Sequence, residues 1–471
     1  MQLIFVHSWS VTHTNTYGSL HSALSAAAAN YNLDIDVRHI HLGKYISFHD
    51  EVTVDDIAQA FDRALRDLPG NGNTIKAFSC ITHSTGGPVV RHWVDRYYGA
   101  KNLSALPLKH LVMLAPANHG SALAILGKKR VGRLKAWFNG VEPGQGVLDW
   151  LCLGSDGQWQ LNKNCLDYDY SKSSFFPFVL SGQGIDTKFY DFLNSYLVEP
   201  GSDGVVRICG ANLNYRYLAL EQGNEILRRK PVKTRLLAAK KRPVKTSPPV
   251  PLSVFSAYSH SGDKMGIMRS PRVAPANPHP VVDAILQCLQ VRTVPQYQQR
   301  FNAFAALSAA EQQQVPAGKK DSISRYTMMV VNLHDQYGNS FDAGEYEVVL
   351  LGGKQYRPDL MPKGFLVDKQ MNSANRNLVY YMDYDQLRTV RDGHFGIRIL
   401  ARPTSGFASY HEGEFRSDGL GLDKVFSPNE TTYVDITMQR RIDRNVFRLR
   451  RSDRGHEDFK RVQPAGKAID E

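Results

Sequence analysis

Up to about residue 290, short apolar runs alternate with longer segments in which apolar positions recur every three or four residues. The runs at 3–6, 35–38, 75–81, 110–115, 178–181 and 205–209 are expected to be strands. Segments 19–30, 54–68, 88–98, 187–197 and 280–288 carry the helical period. This alternation predicts a mainly parallel, doubly wound α/β sheet, because crossover helices cover both faces and leave the strands apolar on both sides. Two insertions interrupt it. Residues 125–175 are loop-rich and carry Trp137, Phe138, Trp150 and Trp159, and residues 215–250 are basic and end near Pro248 and Pro249. A Gln- and Ala-rich stretch, 291–321, reads as a linker or short helix. Beyond it the period becomes two, at 326–333, 346–351, 378–382, 395–401 and 432–438, with turn signals such as Tyr337-Gly338-Asn339 between runs. Strands without intervening helices predict a separate all-β sandwich over 322–441, followed by a charged tail, 442–471.

The chain has 471 residues, 42% of them hydrophobic, which is ample for real cores and too apolar for a disordered chain. No run approaches the ~18 consecutive apolar residues of a membrane span. Five Cys without a CxxC pair exclude a disulfide scaffold and offer no zinc spacing. Free thiols are expected, with Cys152–Cys165 as the one alternative pairing. Met1-Gln2 leads straight into Leu3-Ile4-Phe5-Val6, the pattern of a buried strand and not of a Sec signal peptide. A cytoplasmic location, or export by a signal-independent route, is therefore expected. The net charge is +12, and much of the excess falls between Arg228 and Lys245, a run without an acid. That run reads as a solvated insertion. Attraction to anionic phospholipid headgroups is its functional alternative, and no nucleic-acid partner is expected.

The strongest chemical signal is the run from Ile75 through Thr82-His83-Ser84-Thr85-Gly86-Gly87 into Pro88 and an amphipathic segment. An apolar strand, a serine, small residues and then a helix are the form of a nucleophile elbow, which lifts the serine oxygen above the sheet over a helix N-terminus. Read plainly, Ser84 is a helix cap. The Thr85 backbone N–H would supply one oxyanion donor. The loop after the first strand would supply the other, with Trp9 expected and Ser8 as alternative, while His7 braces that loop. A nucleophile of this kind needs an acid and a base downstream. Asp203, in Ser202-Asp203-Gly204-Val205-Val206, suits a buried carboxylate held by loop N–H groups, although Asp-Gly is also an ordinary turn; Asp156 and Asp186 are rivals. His260, in a polar Gly-containing loop before the last helix, suits the base better than His279, which Pro278 and Pro280 place in a cap-like setting. His83 should point away from the serine and His119 should shape the pocket wall.

On these residues, segment 1–290 resembles the α/β-hydrolase superfamily, specifically its lipase branch with the bacterial triacylglycerol lipases. The resemblance rests on His7-Ser8-Trp9 after the first strand, on the elbow at Ser84, on the run 114–124 with Asn118-His119-Gly120-Ser121, and on Asp203-Gly204-Val205-Val206 with His260 downstream. Two departures are Ser8 where a Gly follows His7 in the family, and Thr82 in place of the first elbow Gly. The resemblance implies a lipase or phospholipase that cleaves carboxylic esters of lipids through a Ser84–His260–Asp203 triad and an acyl-enzyme, with no cofactor required. It also implies a lid in the 125–175 insertion, where Lys128, Lys129, Arg130 and Arg133 accompany the aromatics. Some lipases hold a structural calcium beside the histidine loop, where Asp263 stands, though a solvated Asp is the plainer reading. In outline the chain is also similar to phospholipase effectors of bacterial type VI secretion, which implies a secretion-system or immunity-protein partner. An acyltransferase, a non-lipid esterase, or an inactive lipid- or partner-binding protein are the alternatives. The sandwich is expected to position the hydrolase on a lipid surface and to be dispensable for small soluble esters.

Overall fold

The computed structural model describes residues 1–7, 15–47, 49–124, 144–185, 199–239, 244–313, 325–342, 344–403, 408–418 and 420–442. Strands β1 (Gln2–His7), β2 (Asp36–His41), β3 (Phe78–His83), β4 (Leu108–Leu114) and β5 (Phe176–Gly182) lie in one sheet. The chain then leaves it for β6 (Tyr215–Arg228), β7 (Thr234–Ala239) and the short β8 (Lys245–Thr246), and returns as β9 (Leu252–Phe255). The sheet order is β2-β1-β3-β4-β5-β9, and every neighbouring pair is parallel. Strands β3 and β5 are buried almost throughout, as a sheet covered on both faces requires.

Helices α1 (Leu20–Ala27), α2 (Val54–Asp67), α3 (Gly86–Tyr97), α4 (Gln145–Leu151), α5 (Asp156–Cys165), α6 (Ile208–Ala211), α7 (Pro280–Leu289) and α8 (Val294–Gln313) follow in chain order. On one face, Phe61 of α2 and Trp93 of α3 pack with Ile4, Val6 and Met113. On the other, Leu24 of α1, Ile285 of α7 and Phe304 of α8 pack with Phe5, Val112 and Phe178. Helix α2 is a clear product of its sequence: Thr53 and Asp56 close a capping box at its start and its apolar stripe is buried.

Three expectations change here. Residues 205–209 are not a strand but a turn running into α6. The amides of Val205 and Val206 donate to the Asp203 carboxylate, so they are not free for a ladder, and the sixth parallel strand is β9 instead. The stretch 291–321 is not a simple linker, since most of it is α8, whose Tyr297 donates to the Pro177 carbonyl at 2.8 Å and whose Ser308 bonds both Leu252 and Val254 of β9. The expected helix at 187–197 lies outside the described residues.

The third change concerns the second unit. Strands β10 (Tyr326–Asp335), β11 (Tyr346–Gly352), β12 (Leu366–Met371), β13 (Leu378–Asp383), β14 (Phe395–Ala401), β15 (Ala408–Ser409), β16 (Glu412–Arg416), β17 (Thr431–Met438) and β18 (Arg441–Ile442) confirm a β domain after the α/β part. It is a single ten-stranded mixed sheet, ordered β11-β14-β16-β7-β6-β17-β10-β13-β12 with β8 beside β6, while β15 and β18 pair apart. The basic insertion 215–250 is therefore not a solvated loop: it supplies the centre of this sheet. In β6 the buried positions alternate as Leu218, Leu220 and Gln222, and the strand pairs in parallel with β17. Three of its cations meet acids: Arg216 meets Glu430 at 2.9 Å, Arg228 meets Glu414 at 3.3 Å, and Lys245 meets Asp167. The sheet curls over one apolar cluster that joins β10 and β13 to β11 and β14, with the Tyr380 hydroxyl donating across to the Val348 carbonyl at 3.1 Å. Its opposite face packs on the α/β unit through Leu153, Trp159, Tyr326, Met328, Tyr381 and Tyr433. Among the described residues no helix is long and apolar enough to cross a membrane.

Candidate active site

Strand β3 ends at His83, and Ser84 follows with φ of +53°, a left-handed conformation that costs a non-glycine residue about 1–2 kcal/mol. The surroundings enforce it. The Ser84 N–H donates to the Leu114 carbonyl at 3.0 Å, and its own carbonyl accepts from Gly87 at 3.3 Å as α3 begins. Thr82, standing where the family carries the first elbow glycine, is fully buried. The glycine on the far side of the turn makes room for it, since a Cβ on Gly86 would meet the Thr82 Cβ at 3.3 Å. Thr85 is buried directly after the serine at the entry to α3. Trp9 and Ser8 lie outside the described residues.

The structure brings Ser84, His260 and Asp203 into one line. His260 Nδ1–H donates to Asp203 Oδ2 at 2.9 Å, and Ser84 Oγ–H donates to His260 Nε2 at 3.1 Å. Asp203 is completely buried, and its other oxygen accepts from the Val205 and Val206 amides at 3.0 and 2.7 Å. A second bond, from the His260 N–H to the Asp203 carbonyl at 2.9 Å, ties the two loops together along the backbone. Three side chains from three separate loops therefore share one geometry, with the serine oxygen aimed at an imidazole whose tautomer the carboxylate sets.

The rival residues have other work. His279 caps α7, accepting from the Val281 N–H. Asp156 is exposed at the start of α5 and accepts from Asn375; Asp186 lies outside the described residues. His83 takes a role that its sequence position did not suggest: its Nε2–H donates to the His260 carbonyl at 3.0 Å, and its ring lies 4.7 Å from the His260 ring. Burial, then the neighbouring His260, pushes its pKa down to about 3, so it stays a neutral donor. His119 sits between the two sheets, donating through Nε2 to the Asn212 carbonyl and accepting at Nδ1 from the Tyr433 hydroxyl, both at 2.7 Å.

Around β1, the Tyr17 hydroxyl donates to the Val6 carbonyl at 2.8 Å, and His7 lies against His39 and His41. Burial first, then neighbouring His21 and His41, lowers the His39 pKa; burial and Lys44 lower that of His41. Behind the elbow, buried Arg91 on α3 bonds Asn118 and Asn162, a polar knot signalled only by a charge on an otherwise apolar helix face. All five cysteines are buried free thiols. Asp263 pairs with Arg269 at 2.7 Å, and among the described residues no three His, Cys, Asp or Glu side chains are grouped to hold a metal ion. Of the lid-like insertion, Trp137 and Phe138 lie outside the described residues. Trp150 and Trp159 are core instead, the first packed against the α/β core and the second edge-on to Tyr433 at 5.0 Å.

No family model matches the chain, and no curated protein matches it. Among solved structures it is similar to phospholipase PlaB from Legionella pneumophila, at 42% identity and a TM-score of 0.85, with 99% of each chain covered. Phospholipase PlaB in complex with thio-NAD gives 41% identity and a TM-score of 0.84 over 100% of both chains. Bacillus licheniformis lipase BlEst2 in its mature form shares 16% identity over 45% of this chain, with a TM-score of 0.31.

Proposed function

From the premise that the chain belongs to the family of Legionella phospholipase PlaB, within the lipase branch of the α/β-hydrolases, we propose that it hydrolyses carboxylic esters of phospholipids with Ser84 as nucleophile. The observation that carries this reading is the Ser84–His260–Asp203 line at 3.1 and 2.9 Å. His260 Nε2 takes the Ser84 proton as the oxygen attacks the ester carbonyl. The buried Asp203 carboxylate holds the imidazole in register and stabilises the imidazolium that forms. The oxyanion collects at the Thr85 N–H and at a donor from the loop after β1, for which Trp9 is the candidate. His260 then protonates the leaving alcohol, and a water activated by the same imidazole releases the acid from Ser84. These steps use no cofactor.

Phospholipid vesicles and soluble p-nitrophenyl esters are the test substrates. Ser84→Ala and His260→Ala should each lower turnover of both by about 10^4- to 10^6-fold while circular dichroism stays native, because triad members act as a unit. A Ser84→Ala variant that still cleaves esters refutes the assignment. Transfer of the acyl group to an added alcohol in preference to water would turn the reading to an acyltransferase on the same triad. The secreted-effector reading, with its immunity-protein partner, has no feature of the site in its support.

A further inference from the structure

The loop that carries Asp203 does not stand on the hydrolase alone. Four residues after the acid comes Arg207, whose side chain is 2% exposed. Its Nε and Nη2 take both oxygens of Glu199 at 2.9 and 2.6 Å, just before the loop begins. The same Nη2 reaches Asp368 Oδ2 on β12 of the second sheet at 2.7 Å, and the guanidinium lies 4.1 Å over the ring of Tyr381 on β13. Tyr381 in turn donates its hydroxyl to the Pro200 carbonyl at 2.6 Å. Gly201 leaves no room between the two: a Cβ there would fall 2.2 Å from the Tyr326 ring and 2.5 Å from the Tyr381 hydroxyl. Past the loop, Thr431 on β17 donates to the Cys209 carbonyl at 2.8 Å, and Asn212 donates to the Asn429 carbonyl at 2.7 Å.

Between these anchors sit the two amides that aim the Asp203 carboxylate. A buried guanidinium has five donors in a rigid plane, and moving it breaks bidentate and stacking contacts together, so it fixes whatever backbone carries it. We propose that Arg207 is a positioning residue for the catalytic acid, and that the second sheet, through Asp368 and Tyr381, is part of the hydrolase's active-site scaffold. The proposal rests on the triad reading above. Its consequence is that the alignment of Asp203 with His260 depends on side chains more than 150 residues away in the chain, as the 161-residue separation of Arg207 and Asp368 shows.

The experiment measures kcat and KM for a short soluble p-nitrophenyl ester across pH in the full chain, for Arg207→Met, Asp368→Asn and Tyr381→Phe. Positioning predicts a kcat loss of roughly 10- to 100-fold for Arg207→Met, with KM nearly unchanged, since misplacement by an ångström costs that much. It also predicts that the acidic limb of the profile moves to lower pH in both Arg207→Met and Asp368→Asn, because a loosened Asp203 stabilises the imidazolium less. A direct field effect would move the limbs in opposite directions, one variant losing a cation and the other an anion; that result overturns the proposal. So does an unmoved profile with a lowered melting temperature, the mark of a merely structural arginine. If Arg207→Met does not fold, the partly exposed Asp368 and the Tyr381 hydroxyl decide the matter alone. An active Ser84→Ala enzyme would refute the triad reading itself, whereas an inactive one with unshifted Asp368→Asn and Tyr381→Phe profiles refutes only the clamp.

Discussion

At the scale of single residues, the site is a set of constrained polar atoms, and the constraints say which substitutions matter. His83 directly precedes the nucleophile, and its ring N–H steadies the loop of the base. Because its pKa is pushed down to about 3, the donor persists over the whole working range. His83→Phe should lower kcat about fivefold, the worth of one hydrogen bond of ~1 kcal/mol, and His83→Gln, which keeps a donor, should recover part of the loss in the same ester assay. His279 presents the opposite case. Its ring accepts from the first turn of α7, so His279→Ala should retain full ester turnover and lose about 1 kcal/mol of stability in denaturant titrations. The distinction between His260 and His279 was legible because prolines flank only the second. The role of His83 was not, because a side chain that bonds a backbone carbonyl 177 positions away leaves no local pattern.

At the scale of elements, the parallel sheet was readable because its strands are apolar on both faces and its helices carry a clean stripe. The failures share one cause. Residues 205–209 look like a strand, but their amides serve a carboxylate, and residues 215–250 look like a basic loop because the period-two burial of β6 is interleaved with charges. Buried imidazoles between elements give a measurable consequence. His110 joins β4 to the end of α7, with Nε2–H on the Val291 carbonyl and Nδ1 accepting from Ser79, and His119 joins the two sheets. Burial lowers their pKa values from 6.5 to about 4 and about 3 respectively. The unfolded chain takes these protons near pH 6.5 and the folded chain only well below it. Stability is therefore fully present above that value and falls as the pH drops through the window. Each group contributes a slope of up to about 1.4 kcal/mol per pH unit. Melting temperatures should decline steadily from pH 7 to pH 4, and His110→Gln, which cannot charge, should flatten the slope by at most about a quarter, because His83, His119 and His411 are held down as well.

At the scale of the whole molecule, the two units share one chain path. The first unit lends β6, β7 and β8 to the second sheet, and β6 pairs with β17 in a register that sets Leu218 against Val434, more than 200 positions on. Such parallel pairing has no signature in a local window, which is why the β domain reads from sequence as a separate appendage. A module of that kind could be cut away. The structure predicts the reverse for removal of residues 322–471. Strand β6 would lose β17 and β7 would lose β16, leaving two open edges and exposing the apolar faces of Trp159, Tyr215, Leu218 and Leu220. Asp368, Tyr381 and Thr431 would leave the acid loop at the same stroke. The fragment should aggregate in size-exclusion chromatography and hydrolyse soluble p-nitrophenyl esters at well under a hundredth of the full chain's rate, the penalty expected for a misplaced triad. A monodisperse fragment with full turnover of those esters would show that the second sheet serves only to meet lipid, and that the parallel β6–β17 seam is a docking contact and not a shared core.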